Sequence, residues 1–527
     1  MKNILSGYYV SVVLFTMLFG RYLSAADYFK YNLKNDFYLQ HNNISGNSAS
    51  SSTLSEGSLY YDVFSLSARG NIDDFKYNLN LGIRLTNDKK KDIEKISLSN
   101  LAGKIRNKNH TLSLGDYMSS FSKYSMNSAL KGVSYTYDNK VDKVNLIYGS
   151  AYARWDSFWK NETKTTNRDV MGLRYSRKLS NYLILSTDLV KTEDGNDELI
   201  SIPLYSTMLY TVNSTYKPIK GLKIYGEYSF SQNTTNSSNV ITKNEGSAIF
   251  LQATANKNPS RVRLEYEIVS PKYKTVTGSA TADREKAKAT WRYKYTKTAT
   301  INSAILWFRN NLDGEKSFTT NTYRPSVGVT LKHLMDRHYG VLDLNYKLNI
   351  IDTPVNKTFD MIYNLNYKDK FGMFHSNTNL NYNIYDTSND VRSQQEFKFN
   401  TTLNSRHSLS GFILKPSLVL GTWNMNDNLS NNGNNEYYQA AAGLGLDIPK
   451  KKITSTLRVG KNRSTRDVGA NLDKLFGSFD LYWKVGKVEQ FKNVLVYFKS
   501  YINDYDYTVV AKNYRETSIT LGSKMSF

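Results

Sequence analysis

The chain has 527 residues, 69 Lys plus Arg against 46 Asp plus Glu, a formal charge of +23, 41 Tyr and no Cys. The missing cysteines exclude a disulfide framework, a thiolate metal site and a cysteine nucleophile, and an aromatic share of 13% excludes wholesale disorder. No apolar run of about 18 residues follows the amino terminus, which excludes a multi-span helical membrane protein and leaves a large soluble or membrane β protein.

In chain order, the first element is an export signal. Lys2 gives a positive start, Tyr8 to Gly20 is a short apolar run, and Ser24-Ala25-Ala26 offers small residues for a signal peptidase. Cleavage is expected after Ala26, so 1–26 is a signal peptide and 27–527 the mature chain. A membrane anchor is the competing reading, but the apolar run is short for a spanning helix.

One pattern then repeats to the end. Phe75, Tyr77, Leu79, Leu81, Ile83 and Leu85 alternate with Lys76, Asn78, Asn80, Gly82 and Arg84. The same period of two recurs at Leu342 to Ile350 and at Phe359 to Tyr367. Period two is a strand with one oily face. Strands of about nine to eleven such residues have the length of a tilted strand crossing an outer membrane. About 26 of them (24 to 28) are expected, an even number as in single-chain outer-membrane barrels.

Connections alternate in length. Short turns are expected at Gly70 to Asp74, Arg106 to Asn109, Asp138 to Asp142, Lys178 to Tyr182, Lys217 to Gly221, Pro449 to Lys451 and Gly486 to Gln490. Long loops fall between them, including Asn42 to Gly57, Asp116 to Ser128, Trp155 to Arg168, Gln232 to Glu245, Ser270 to Arg284, Asn424 to Asn435 and Asn462 to Lys474. Short turns on one rim and long loops on the other are the wiring of a transmembrane barrel with periplasmic turns and surface loops. The brief Asp352 to Lys357 link falls where a long loop is due. The fold class is therefore all-β: a single antiparallel up-and-down transmembrane barrel over 27–527.

At the carboxyl terminus Ile519, Leu521, Met525 and Phe527 share one face, and Ser518, Thr520, Gly522, Lys524 and Ser526 the other. With the terminal aromatic, this resembles the outer-membrane β-barrel superfamily of diderm bacteria, whose last strand carries a polar-x-Gly-x-x-apolar-x-apolar signal. Thr520, Gly522, Met525 and Phe527 occupy those positions. The resemblance implies recognition by the barrel-assembly machinery, a place in the outer membrane among its lipid and lipopolysaccharide, and no specific family within the superfamily.

Enzymatic chemistry is not expected. His41, His110, His333, His338, His375 and His407 are scattered; only His333 and His338 lie close, beside Asp336, and solvated turn residues are the plainer reading. No phosphate-cradling glycine loop, cofactor site or nucleic-acid-binding fold is visible. The lumen is more informative. If Val262, Leu264, Tyr266, Ile268 and Ala287, Ala289, Trp291, Tyr293, Tyr295 face lipid, then Arg261, Arg263, Lys286, Lys288, Arg292 and Lys294 face inward, against only Glu265 and Glu267. Such a basic wall favours anions, although a Lys-rich, Asn-rich composition explains it equally well. Tyr117, Phe121 and Tyr124, with Met126, load the loop Asp116 to Ser128 with apolar area, marking it as a constriction or plug, or as a girdle cluster or partner contact. Trp155, Phe158 and Trp159 raise the same question in the next long loop.

The expected function is a porin or channel for the passive or substrate-specific passage of small hydrophilic solutes, anions among them. The alternatives are a lipid or polysaccharide export barrel needing a plug or lipoprotein partner, and a surface adhesin or structural barrel acting through its long loops.

Overall fold

The computed structural model describes residues 28–151, 154–155, 168–195, 204–237, 240–389, 392–427, 433–489 and 491–527. The expected signal peptide, 1–26, and Phe158 and Trp159 lie outside the described residues. Within them, 27 strand segments form one antiparallel sheet. Ser393–Ser405 and His407–Leu409 are one strand interrupted at Arg406, because both pair with Phe412–Asp427, so the barrel has 26 strands. The first strand, Tyr28–Ser45, pairs on one side with Gly57–Ile72 and on the other with the last, Tyr514–Ser526. The sheet is thereby closed, which leaves no first or last edge unpaired in lipid.

Alternation sorts the side chains as the sequence predicts. On Leu204–Tyr216, Tyr210 and Val212 are 44% and 53% exposed on the outer face, whereas Leu209 and Thr211 point inward and are buried. Leu264 and Tyr266 face outward likewise. The exterior is an apolar band suited to hydrocarbon. Short turns gather on the rim that holds both chain ends, and the Phe527 amide donates to the Leu33 carbonyl there at 2.9 Å. The Asp352 to Lys357 link is a tight turn between Ile350-containing Val341–Thr353 and Asn356–Phe371, on the long-loop rim.

Two loops fold inward. Strands His110–Ser120 and Asn127–Asp138 run further than the sequence suggests and leave only Phe121 to Met126 between them. That tip, together with the segment 270–283 that follows Ser260–Val269, lies across the inner wall. There Phe121, Tyr124, Met126, Leu130 and Tyr273 pack on Val170, Val190, Leu209, Ala248, Phe250 and Val269. An exposed loop with this much apolar area would lose the roughly 25 cal/mol per Å² that burial contributes, which is why the tip turns inward.

Candidate functional site

Three carboxylates on alternate strands hold the infolded tip. Asp188, on Leu183–Asp194, accepts from Ser125 Oγ at 2.7 Å and pairs with Arg174 at 3.0 Å. Glu227, on Leu222–Ser237, accepts the backbone N–H groups of Tyr124 at 2.9 Å and Lys123 at 3.2 Å, and the Tyr225 hydroxyl at 2.6 Å. Glu267, on Ser260–Val269, binds the Lys123 and Lys286 ammonium groups and accepts from Tyr124 Oη at 3.1 Å. All three carboxylates are at most 4% exposed. Hydrogen bonds from charged groups in so dry a place are about twice as strong as neutral ones.

The second loop laces onto the first. Asn127 N–H donates to Thr277 O at 2.7 Å, Ser279 N–H to Lys123 O at 2.8 Å, and Thr277 Oγ1 to Ser125 O at 2.9 Å. Tyr273 Oη donates to Ser229 Oγ at 2.9 Å and its ring meets Tyr124 edge-on, with centroids 5.8 Å apart. The backbone polar groups of an irregular segment at membrane depth are thus met within the barrel.

The predicted basic residues sit on the adjoining strands Ser260–Val269 and Arg284–Lys294. Their register sets Arg261 opposite Arg292, Glu265 opposite Lys288 and Glu267 opposite Lys286. Arg263 pairs with Glu265 and Lys286 with Glu267. Among the described residues Arg261, Lys288, Arg292 and Lys294 have no carboxylate within ion-pair reach. Charge along this strip therefore runs from compensated beneath the infolded loops to uncompensated toward the short-turn rim.

Tyr117 packs beside the cluster, its hydroxyl donating to Val133 O at 3.0 Å; Phe121 and Tyr124 lie within it. Asp116 accepts the Leu101 N–H at 2.7 Å and the Trp155 indole N–H at 2.9 Å, and pairs with Lys131. Its neighbour in space, the buried Asp92 carboxylate, binds Arg84 at 3.0 Å, Arg154 at 2.6 Å and Ser97 at 2.7 Å. Burial opposes ionisation of Asp92, but these donors outweigh it and hold the carboxyl down at about 2.

In the last strand Thr520 pairs with Gln40 and Lys499, and Gly522 with Tyr38 and Tyr497. The Tyr497 ring lies over Gly522, where an added Cβ would stand 2.3 Å from Tyr497 Cζ and 2.8 Å from Tyr38 Cβ, so only glycine fits. Met525 pairs with Asn35 and Val494, and the Phe527 ring meets Phe491 with centroids 4.6 Å apart. The His333 and His338 rings lie tilted at 36° with centroids 5.4 Å apart, and among the described residues no three His, Asp or Glu gather as metal ligands.

Sequence reading missed Asp188, Glu227 and Arg174, and it took the segment 270–283 for an ordinary surface loop. The signal was present in the inner-face parity: Val170, Val190, Leu209, Ala248 and Val269 are apolar where a wet lumen wants polar groups. Apolar residues on both faces of neighbouring strands mark a wall that something covers.

No family model matches the chain, and no curated protein matches it. Among solved structures it is similar to the outer membrane transporter YddB from Escherichia coli, at 9% identity and a TM-score of 0.45 over 94% of this chain and 81% of that one. It is also similar to OccK11 (OpdR) of Pseudomonas aeruginosa, at 9% and 0.30 over 95% and 96%, and to the PapC translocation pore of the P pilus usher, at 8% and 0.35 over 93% and 99%. Values this low leave the reading to the chain's own residues: a closed barrel of 26 strands with an apolar exterior and a polar, loop-lined interior is a transmembrane β-barrel.

Proposed function

We propose that this barrel is a channel for small hydrophilic solutes in which anions are favoured. Barrels of 16 to 18 strands already enclose an aqueous channel, so one of 26 is wider unless something fills it. The observation that carries the reading is the pair of laced loops clamped by Asp188, Glu227 and Glu267, which fill one side of the lumen beside a strip of uncompensated cations. The loops narrow the passage, and the strip gives what remains its sign. Fixed charge acts over about 8 Å in physiological salt, so Lys288, Arg292 and Lys294 matter most where the passage is narrowed to that scale.

The geometry around Gly522 and Phe527 supports a further role for the last strand, as the segment read by the barrel-assembly machinery. Planar-bilayer conductance of the purified protein, with reversal potentials in asymmetric KCl, tests the channel reading. Single-channel steps with a chloride preference are expected; a bilayer that stays silent with folded, inserted protein would overturn it.

A further inference from the structure

The wall of the barrel has one open seam among the described residues. Strands Ile96–Arg106 and His110–Ser120 pair only from Ala102–Gly115 to Arg106–Thr111, next to their short turn. Each is matched along most of its length with its other neighbour, as shown by Leu85–Ile96 to Lys76–Arg106 and by His110–Tyr137 to Ser120–Asn127. From Leu101 and Asp116 toward the long-loop rim the two strands share no ladder, and the Asp116 carboxylate bridges the first step by accepting the Leu101 N–H at 2.7 Å. The cause is the infolded tip: the hairpin that carries Phe121 to Met126 leans into the lumen and leaves its place in the wall. Gly115 marks the hinge, with φ +86° and an added Cβ that would stand 2.0 Å from Leu101 O. On the opposite lip a bulge at Ser99, between the Gly82–Asn100 and Ile83–Leu98 pairs, bends the strand.

The seam has two apolar lips and a polar strap. Ile96 and Met118, one on each lip, are both 63% exposed. Arg154 reaches Asp92, which is tied to the first lip through Ser97, while the adjacent Trp155 reaches Asp116 on the second. Lys131 Nζ lies 5.0 Å from the centre of the Trp155 ring. Two consecutive residues thus span the gap.

We propose that this seam is a lateral portal between the lumen and the outer leaflet for an amphiphile, a molecule with a hydrocarbon chain and a polar head. The unpaired strand edges decide the chemistry. Asp116 meets the Leu101 N–H; backbone groups beyond it would cost several kcal/mol each if they faced bare hydrocarbon, so the gap must hold something polar, and lips of Ile and Met facing lipid suit something apolar as well. A single molecule meets both demands only if it carries both parts. This route stands apart from the axial passage of the channel reading and does not depend on it.

The absence of native cysteine makes the test clean, because an introduced thiol is the sole one. Asn100→Cys lies on the inner face at the seam, and Asn345→Cys on the inner face of a fully paired stretch of wall; both positions are exposed. Each variant, reconstituted in phosphatidylcholine vesicles, is treated with N-dodecylmaleimide confined to the bilayer, and separately with a water-soluble maleimide. The water-soluble reagent should label both, which certifies folding and an accessible lumen. The lipid-borne reagent should label Asn100→Cys at least tenfold faster than Asn345→Cys, and Arg154→Ala in the same background should raise that rate severalfold. Equal lipid-borne labelling at the two sites, or none at Asn100→Cys while the water-soluble reagent reacts, would overturn the portal. Conductance measured on the same protein reports the axial channel separately.

Discussion

The strands from Asn127 to Lys294 and those from Ala299 to Ser526 have the same exterior and opposite interiors. The first wall is paved: its inner face carries Val170, Val190, Leu209, Ala248, Phe250 and Val269 beneath two loops, and three of its carboxylates, Asp188, Glu227 and Glu267, hold those loops. The second is bare. Its inner face carries circumferential rows of amides, Asn345, Asn364 and Asn381 in one row and Asn366, Asn379 and Asn400 in the next. Period two is identical in both, so alternation reports the lipid and says nothing about the lumen. What distinguishes the walls is the chemistry of the inward residues: aliphatic side chains and buried carboxylates among Ser and Thr beneath the loops, rows of amides on the other wall.

The comparison is sharpest at matched carboxylates. Glu267→Ala on the paved wall strands Lys123 and Lys286, and removing one partner of a buried pair costs about 3 kcal/mol or more. Hydrogen–deuterium exchange of the peptide spanning Phe121 to Met126 should accelerate by about a hundredfold, and single-channel conductance should rise as the loop leaves. Glu396→Ala on the bare wall loses a pair with Lys398, which is half exposed, and a bond from Trp423. It should change exchange in its own strand by no more than about 1 kcal/mol. Equal effects on the two walls would abolish the distinction.

Gly522→Ala asks whether tight packing exists anywhere on the bare wall. Overpacking costs about 1 to 3 kcal/mol. The heat-modifiable, folded fraction in the outer membrane should fall, and Tyr497→Ser should restore it by vacating the space over Gly522. If the second substitution fails to restore folding, Gly522 serves recognition rather than packing. Phe527→Ala, which removes the contact with Phe491, should lower the folded fraction whatever residue stands at 497.

At the border between the walls, Lys288→Glu, Arg292→Glu and Lys294→Glu together leave the Lys286–Glu267 pair in place. The reversal potential in asymmetric KCl should change sign toward cations. An unchanged potential with conductance retained would show that the strip does not set selectivity.

The smallest effect concerns Asp92, which lies outside the strands. Its carboxyl is held at about 2 against an ordinary 3.8, faced by Arg84 and Arg154 with Ser97 donating. A depressed carboxyl contributes stability that is complete above its unfolded value and is lost as pH falls through the folded one. Crosslinking between Asp92-side and Arg154-side loops should therefore be unchanged from pH 7 to 4 and weaken between 4 and 2. Loss already at pH 5 would show that Arg154 is held by something else.

Much of the barrel could be read from the sequence because lipid imposes one rule on every strand. Parity, the strand count and the short turns of one rim follow from it. Strand length does not: Tyr28–Ser45 and Val240–Lys257 reach 18 residues where about nine to eleven are expected, and Leu222–Ser237 and Val240–Lys257 take up nearly all of the expected long loop Gln232 to Glu245. The loop with Phe121 and Tyr124 stood out because its apolar area had no lipid to face. Its partner loop did not, since Tyr273 is its lone large buried side chain and Thr277 acts through a backbone carbonyl and a hydroxyl. The convergence of Asp188 and Glu227 on one six-residue tip depends on strands lying side by side along a curved wall, and no local pattern encodes that. The seam was invisible for a similar reason, because its halves are strand-like in sequence and are split only by where the hairpin tip goes.

The junction of the first and last strands has a consequence in time. Asp36 and Lys524, joined at 2.7 Å, are 488 residues apart in the chain. Bringing such distant ends together costs about 5 kcal/mol of loop-closure entropy, a modest sum that twelve register pairs from Lys34–Ser526 to Ser45–Arg515 readily exceed. The difficulty is one of order: until the last residue has been delivered, the growing sheet has two raw edges, each a template for pairing with another copy. A chain cut short by a single strand would keep both edges permanently. Whatever protects the sheet during assembly must hold it open until Tyr514–Ser526 arrives.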